Sequence, residues 1–366
     1  MHTVLVIGGY GFFGQRICAA LATHPGVFLL VGGRNHASGR QLARALHIRD
    51  EQAVTVDAAS NSLASVLKGL GVNTVVHTAG PFQGQDYTVA RAAIAAGCHY
   101  IDLADGRQFV AGIEALDSLA KSRGVSVVSG ASSVPALSSA VVDRFLGEFA
   151  RLDGIRMGIS SGARAPGLAT VRGVFSYAGK PLQQMRNGSW CTEFGWRGLE
   201  RHRFPKPLGR RWMGTCDVPD LDLLPRRYPT VKSVTFQAGF ASDAGHLLVW
   251  GLAGLVKAGI LASLVPFAPT LNRVSRWMEP IVSHKGGMFV TLTGIGTHGQ
   301  PRAITWNIIA QHNHGPYIPC AASIVLARKL ADGHALPSGA LPCMGLLTVA
   351  EYLDAIKGLD VQEIVE

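Results

Sequence analysis

Four glycines carry the clearest chemistry in the chain. Gly8, Gly9, Gly11 and Gly14 stand in VLVIGGYGFFGQRICAAL, where an apolar run meets an amphipathic one. Gly9-x-Gly11-x-x-Gly14 between a strand and a helix is the spacing of a turn that wraps a pyrophosphate. One glycine reverses the chain, one lets main-chain amides approach the phosphates, and one lets helix and sheet pack closely. The helix N-terminus then offers its amides and the positive end of its dipole to the anion. Tyr10, Phe12 and Phe13 ride on the same turn and are expected to border the ligand.

The second apolar run ends in LLVGGRNHASGR. A carboxylate at this point would bond the ribose hydroxyls of NAD and repel a 2′-phosphate. Here Gly32 and Gly33 take that place, and Arg34 follows 20 residues after Gly14. Its planar fork of donors suits a phosphate, with Asn35 and Ser38 at the start of the next helix adding hydrogen bonds. The expected cofactor is therefore NADP(H). Asp57, closing the third run, faces either the adenine edge or solvent. Ala79-Gly80-Pro81-Phe82 follows the fourth run, where the strand order should reverse and a ligand crevice open.

A redox cofactor carries the difficult chemistry, so the protein need supply little more than a proton donor. Asp105, after CHYIDLADG, can orient substrate or relay a proton, or can cap the helix expected from Gln108 to Ser122. His312, His314 and Tyr317 stand together in QHNHGPYIP. Histidine serves as a general acid near neutral pH, so Asp105, His314 and Tyr317 are the catalytic candidates, against the alternative of packing or surface roles. His-x-His without further ligands defines no metal site, and none is expected. Tyr228-x-x-x-Lys232 has the spacing of a catalytic pair that shares one helix face, but Pro229 and the strand-like run after it argue against a helix there. Arg197, Arg201, Arg203, Arg210 and Arg211 form either a solvated basic face or clamps for an anionic substrate.

These residues need a scaffold. The chain has 366 residues, 48% hydrophobic and 16% charged, with a formal net charge of +10. That length predicts two packed domains. Charge alone does not choose among nucleic acid, anionic lipid and anionic substrate. Strand-like runs at Thr3–Ile7, Val27–Val31, Ala53–Val56, Thr74–Thr78, His99–Leu103 and Val125–Ser129 alternate with amphipathic ones. The fold class is therefore α/β, a Rossmann doubly wound parallel sheet in the order 3-2-1-4-5-6. After residue 150, Asn187-Gly188 and His298-Gly299-Gln300 signal hairpins, hence a second α+β domain with a mixed or antiparallel sheet. The expected divisions are 1–150, 151–314, and a segment 315–366 returning to the first domain. Six singly scattered cysteines form no C-x-x-C pair, and an apolar strand begins within three residues of the N-terminus with no signal peptide first. A cytoplasmic protein is expected. The apolar stretch 247–268 reads as a buried or dimer-interface helix, with a peripheral membrane contact as the alternative.

With these residues in hand, the first domain resembles the saccharopine dehydrogenase-like oxidoreductases. GGYGFFG, GGRN, VVHTAGPFQGQDYTVARAAIAAGCHYIDLADG and SVVSGASSVPALSS carry the match. GGMFVTLTGIGTHGQPRAITWNIIA and GPYIPCAASIVLARKLADG extend it, more loosely, into the second half. The resemblance implies an NADP-binding Rossmann domain, a mixed-sheet second domain and a homodimer. The expected function is hydride transfer between NADP(H) and an unidentified small-molecule or acyl substrate, with no nucleic acid involved. Two other readings stay open: a non-catalytic NADP-binding sensor, and a lipid (enoyl) reductase working at a membrane surface.

Overall fold

A computed structural model describes residues 1–162, 167–279 and 282–366. The chain divides into two compact units. Met1–Leu137 joins Tyr317–Ile356, and Ser138–Pro316 joins Lys357–Glu366.

The first unit opens with β1 (His2–Ile7), α1 (Gly14–Ala22), β2 (Val27–Gly33), α2 (His36–Ala45), β3 (Ala53–Thr55), α3 (Leu63–Gly69), β4 (Thr74–His77), α4 (Thr88–Ala96) and β5 (His99–Asp102). α5 (Arg107–Ala111), α6 (Asp117–Ser122) and β6 (Ser126–Ser129) complete this half. β1, β4 and β6 are almost wholly buried, as short continuous apolar runs covered by helices on both faces should be. Leu5, Ile7, Val75, Tyr100 and Val127 pack with Ala90 and Ile94 of α4 into the core of one face. The single helix expected up to Ser122 is instead broken. The Tyr87 hydroxyl donates to the Phe109 carbonyl (2.8 Å), which in a continuous helix would accept from Ile113, and Gly112 caps α5.

The second unit holds α7 (Ser138–Phe145), β7 (Phe149–Ser160), α8 (Leu168–Ser176), β8 (Pro181–Arg186), β9 (Ser189–Phe194), β10 (Glu200–Arg203) and β11 (Arg210–Thr215). It continues through α9 (Asp220–Arg227), β12 (Ser233–Gly239), α10 (Asp243–Lys257), α11 (Ala268–Met278), β13 (Gly286–Gly296) and β14 (Pro301–Ala310). Both expected hairpins form, β8–β9 around Asn187-Gly188 and β13–β14 around Gly299. The stretch 247–268 is not one helix. α10 stops at Lys257, the chain turns through Ala258-Gly259, and a 3-10 turn at Val265–Phe267 leads into α11. Among the described residues no helix is long and apolar enough to cross a membrane.

The chain then re-enters the first unit with α12 (Ile318–Ala331), β15 (Gly339–Pro342) and α13 (Val349–Asp354). The first sheet is thus seven-stranded and parallel, in the order β15-β6-β5-β4-β1-β2-β3. The six expected strands lie in the expected order, and β15 is an unforeseen seventh. β16 (Val361–Val365) belongs to the second unit, so the tail 315–366 is shared between the two. The second sheet runs β10-β11-β12-β7-β13-β14-β16, with the β8–β9 hairpin attached at β12. Its β7–β12 pair is parallel and β7–β13 antiparallel, so the sheet is mixed.

Candidate cofactor and substrate site

The glycine turn is held from three directions. The Gly8 and Gly9 amides donate to the Gly32 carbonyl (2.9 and 3.1 Å), locking the turn to β2. The Thr78 hydroxyl, just past β4, donates to the carbonyls of Ile7 (2.9 Å) and Gly8 (3.1 Å). Gly11 closes the turn through its amide to Gly8 (2.8 Å). Gly8 has φ +82°, and a Cβ there would lie 2.7 Å from the Thr78 hydroxyl oxygen. A Cβ on Gly14 would run into the Gly8 carbonyl and sit 2.9 Å from Gly9 Cα. α1 begins at Gly14, with no side-chain cap and no acid in its first turn to compete for an anion. This cradle therefore fits a bridging diphosphate. Arg16, buried in that first turn, places its guanidinium over Phe12 (4.6 Å to the ring centroid) and Tyr317 (5.0 Å) and donates to the Phe12 carbonyl. The sequence reading passed over Arg16, although an arginine two residues after the last glycine of the motif was a visible signal.

The end of β2 shows why no carboxylate stands there. The Tyr10 ring covers Gly33 so closely that a Cβ at 33 would lie 2.5 Å from it. The Tyr10 hydroxyl accepts from the Asn35 amide (2.8 Å). Arg34 is exposed beside this pair. Asn35 caps α2, its side chain accepting from the Ser38 amide (3.1 Å). Asp57 lies just beyond β3 and is exposed; its carboxylate accepts from the Ala59 amide (3.1 Å) in a local turn.

Beyond β4, Ala79 to Phe82 form a loop with a cis Gly80-Pro81 bond, and Gln85 donates to the carbonyls of Ala79 (3.0 Å) and Pro81 (2.7 Å). Phe82 is buried between His77 and Phe109. Asp105 is half-buried and accepts from Gln83 on this loop (3.0 Å); burial raises its carboxyl above the usual range. It is not a helix cap, since Gly106 takes that position in α5. Behind it lies a buried network that the sequence reading did not assemble. Asp102 accepts on one oxygen from Gly130 N (2.8 Å), Ala104 N (2.9 Å) and Ser129 Oγ (3.0 Å). Burial pushes its carboxyl up to about 6 even against those donors. His77, its register partner across β4–β5, shares a hydrogen bond with the Tyr100 hydroxyl (3.0 Å), and burial lowers it to about 4. Asp102 fixes the loops at 104 and 130, so it positions Asp105 from behind.

The remaining candidates divide by unit. Tyr317 starts the first unit's returning segment, under Arg16. His314 lies in the second unit, where its Nδ1 accepts from the Asp360 amide (2.8 Å). Neighbouring His312 pairs with the Asp360 carboxylate (2.6 Å). Among the described residues, no group of three or more His, Cys, Asp or Glu side chains is placed to hold a metal. Tyr228 lies past the end of α9 and donates to Asp143 (2.6 Å), so it shares no helix face with Lys232.

The second sheet has one apolar face, with Met157, Phe236, Val290 and Trp306 in register and buried. Its other face carries Arg156, Ser160, His202, Arg211, Phe289 and Asn307. His202 stacks on Phe289 (3.7 Å between centroids, 12°), and burial lowers it to about 4. His202 Nε2, Arg211 Nε, Ser160 Oγ and both polar side-chain atoms of Asn307 are buried with no hydrogen-bond partner among the described residues. Such groups cost about 1–3 kcal/mol each unless something satisfies them. Only register brings them together, which is why spacing along the chain did not show them.

The seven-stranded parallel sheet with its glycine cradle, and the mixed sheet of the second unit, match a saccharopine dehydrogenase-like fold. Residues 4–128 match the family model described as the saccharopine dehydrogenase NADP binding domain. The chain is similar in fold to apo saccharopine dehydrogenase (L-Glu forming) from Saccharomyces cerevisiae, with a TM-score of 0.70 over 100% of both chains at 12% identity. It is also similar to homospermidine synthase from Legionella pneumophila, solved in complex with NAD, with a TM-score of 0.63 over 100% of this chain and 91% of that one at 10% identity. A search of curated proteins finds no match.

Proposed function

We propose that the protein is an NADP(H)-dependent oxidoreductase acting on a polar, carbonyl- or imine-level small molecule or an acyl substrate. The observation that carries the cofactor choice is the Tyr10 ring over Gly33. It fills the space that an acidic side chain gripping NAD ribose would need, so long as the ring stays in place, and leaves Arg34 beside it as the exposed cation. Gly8 to Gly14 hold the diphosphate by main-chain amides and the α1 dipole. Arg34 takes the 2′-phosphate in a two-pronged contact, with Asn35 keeping the start of α2 in place. When bound, the nicotinamide supplies the hydride or accepts it. Asp105, whose carboxyl burial raises above the usual range, passes the proton that a reduced substrate needs, and Gln83 keeps that carboxyl oriented.

Fluorescence titration with NADPH and NADH tests this. Arg34→Ala should weaken NADPH about tenfold to hundredfold, the worth of a charged hydrogen-bond pair, and leave NADH nearly unchanged. Equal losses for both nucleotides would refute the assignment of Arg34.

A further inference from the structure

We propose that the Tyr10 hydroxyl donates a hydrogen bond to the 2′-phosphate of NADP(H), which makes it a specificity-determining group beside Arg34. This rests on the cofactor reading above and gives the ring a polar role besides the steric one. Hydrogen-bond counting carries the inference. A phenol has one O–H to donate and accepts through its oxygen. Tyr10 accepts from the Asn35 amide (2.8 Å), and among the described residues its own proton goes to no acceptor. The side chain is only partly buried, so that proton faces solvent and is open to an arriving ligand.

Position names the acceptor. A Cβ on Gly33 would meet the Tyr10 hydroxyl oxygen at 2.6 Å. The hydroxyl therefore stands where the side chain that grips a ribose would begin. A carboxylate there only accepts, whereas a phenol with its oxygen already engaged only donates. The two residues that Tyr10 touches, Gly33 and Asn35, flank Arg34 on both sides, so hydroxyl and guanidinium rise from one rim. That rim is fixed in advance. The Gly33 carbonyl accepts from the Val56 amide (3.1 Å), and Asn35 caps α2. Residues 34–37 are exposed, and α2 carries no Asp or Glu to repel an anion. A plain ribose hydroxyl can also accept from Tyr10, but a hydrogen bond to an ionised oxygen is about twice as strong. The donor therefore favours the phosphorylated ribose.

Tyr10→Phe keeps the ring and removes only the hydroxyl. Calorimetric titration should show it weakening NADPH and 2′,5′-ADP about tenfold, and NADH and 5′-AMP less than about threefold. Retained NADH binding shows that the glycine turn of the variant is folded. In an Arg34→Ala background the same substitution should again cost NADPH about fivefold to tenfold, because the two donors are separate. NADPH binding like the parent's overturns the inference. Equal losses for NADPH and NADH also overturn it, by making the hydroxyl a brace for the turn. So does the absence of further loss in the Arg34→Ala background, which would mean that Tyr10 only holds Arg34 in place. A parent that prefers neither nucleotide overturns the cofactor reading and this inference together. A large Arg34→Ala loss with an indifferent Tyr10→Phe overturns this inference alone.

Discussion

The two units build polar sites by different means. In the first, the ligand-facing turn is main chain, and its buried acid Asp102 is met by three donors. In the second, the polar groups are side chains set on a sheet face among buried Met213, Phe289 and Ile309, and the unit's buried acid Asp220 receives one hydrogen bond, from Ser138. Burial drives Asp220 to about 7, above Asp102 at about 6. A site made of amides needs no ionisable partner but tolerates no extra atom. A site made of side chains can be retuned residue by residue, at the expense of unsatisfied groups.

The sharpest way to break this comparison is at Gly14. Gly14→Ala forces a methyl against the Gly8 carbonyl and should lower NADPH affinity about a hundredfold or more in titration, because the cradle has no room to yield. The polar face of the second sheet tolerates change better. His202→Gln should leave NADPH binding within about twofold in the same titration.

Stability against pH sharpens the comparison further. A carboxyl raised from 3.8 to about 7 favours the folded state least when ionised, so Asp220 costs on the order of 4 kcal/mol as pH climbs from about 4 and levels off above 7. Asp102, raised to about 6, costs on the order of 3 kcal/mol and levels off a unit earlier. Thermal melts from pH 4 to 9 should show Asp220→Asn flattening the loss near 7 and Asp102→Asn flattening it near 6; identical profiles for the two variants would dissolve the contrast. His77 has the opposite sign, since a histidine lowered to about 4 disfavours the folded state as pH falls below 6.5. The smallest effect expected is from Asp105→Asn, which should leave both nucleotide affinities within about twofold while removing the alkaline limb of a pH–rate profile.

Local features were legible and non-local ones were not. The glycine turn and both hairpins announce themselves within a dozen residues, because turn chemistry is read from adjacent positions. β15 pairs with β6 from more than two hundred residues away, and nothing in GALP itself signals a strand that must complete a distant sheet. Asp220 looks like an ordinary acid at a helix start, and only Ser138 of α7 reveals that it is buried. The stretch 247–268 misled because length and hydropathy said one helix, while Gly259 and Pro266 divided it.

Under the proposed role of Arg34, the tyrosine lid on Gly33 ties a change of cofactor to a movement of that ring. An acid introduced at 33 collides with Tyr10, and a smaller residue at 10 leaves Arg34 with no competitor. A carboxylate at 33 becomes usable only once the ring moves or is removed. A lineage descended from this chain would shift or lose the ring before it gained the carboxylate.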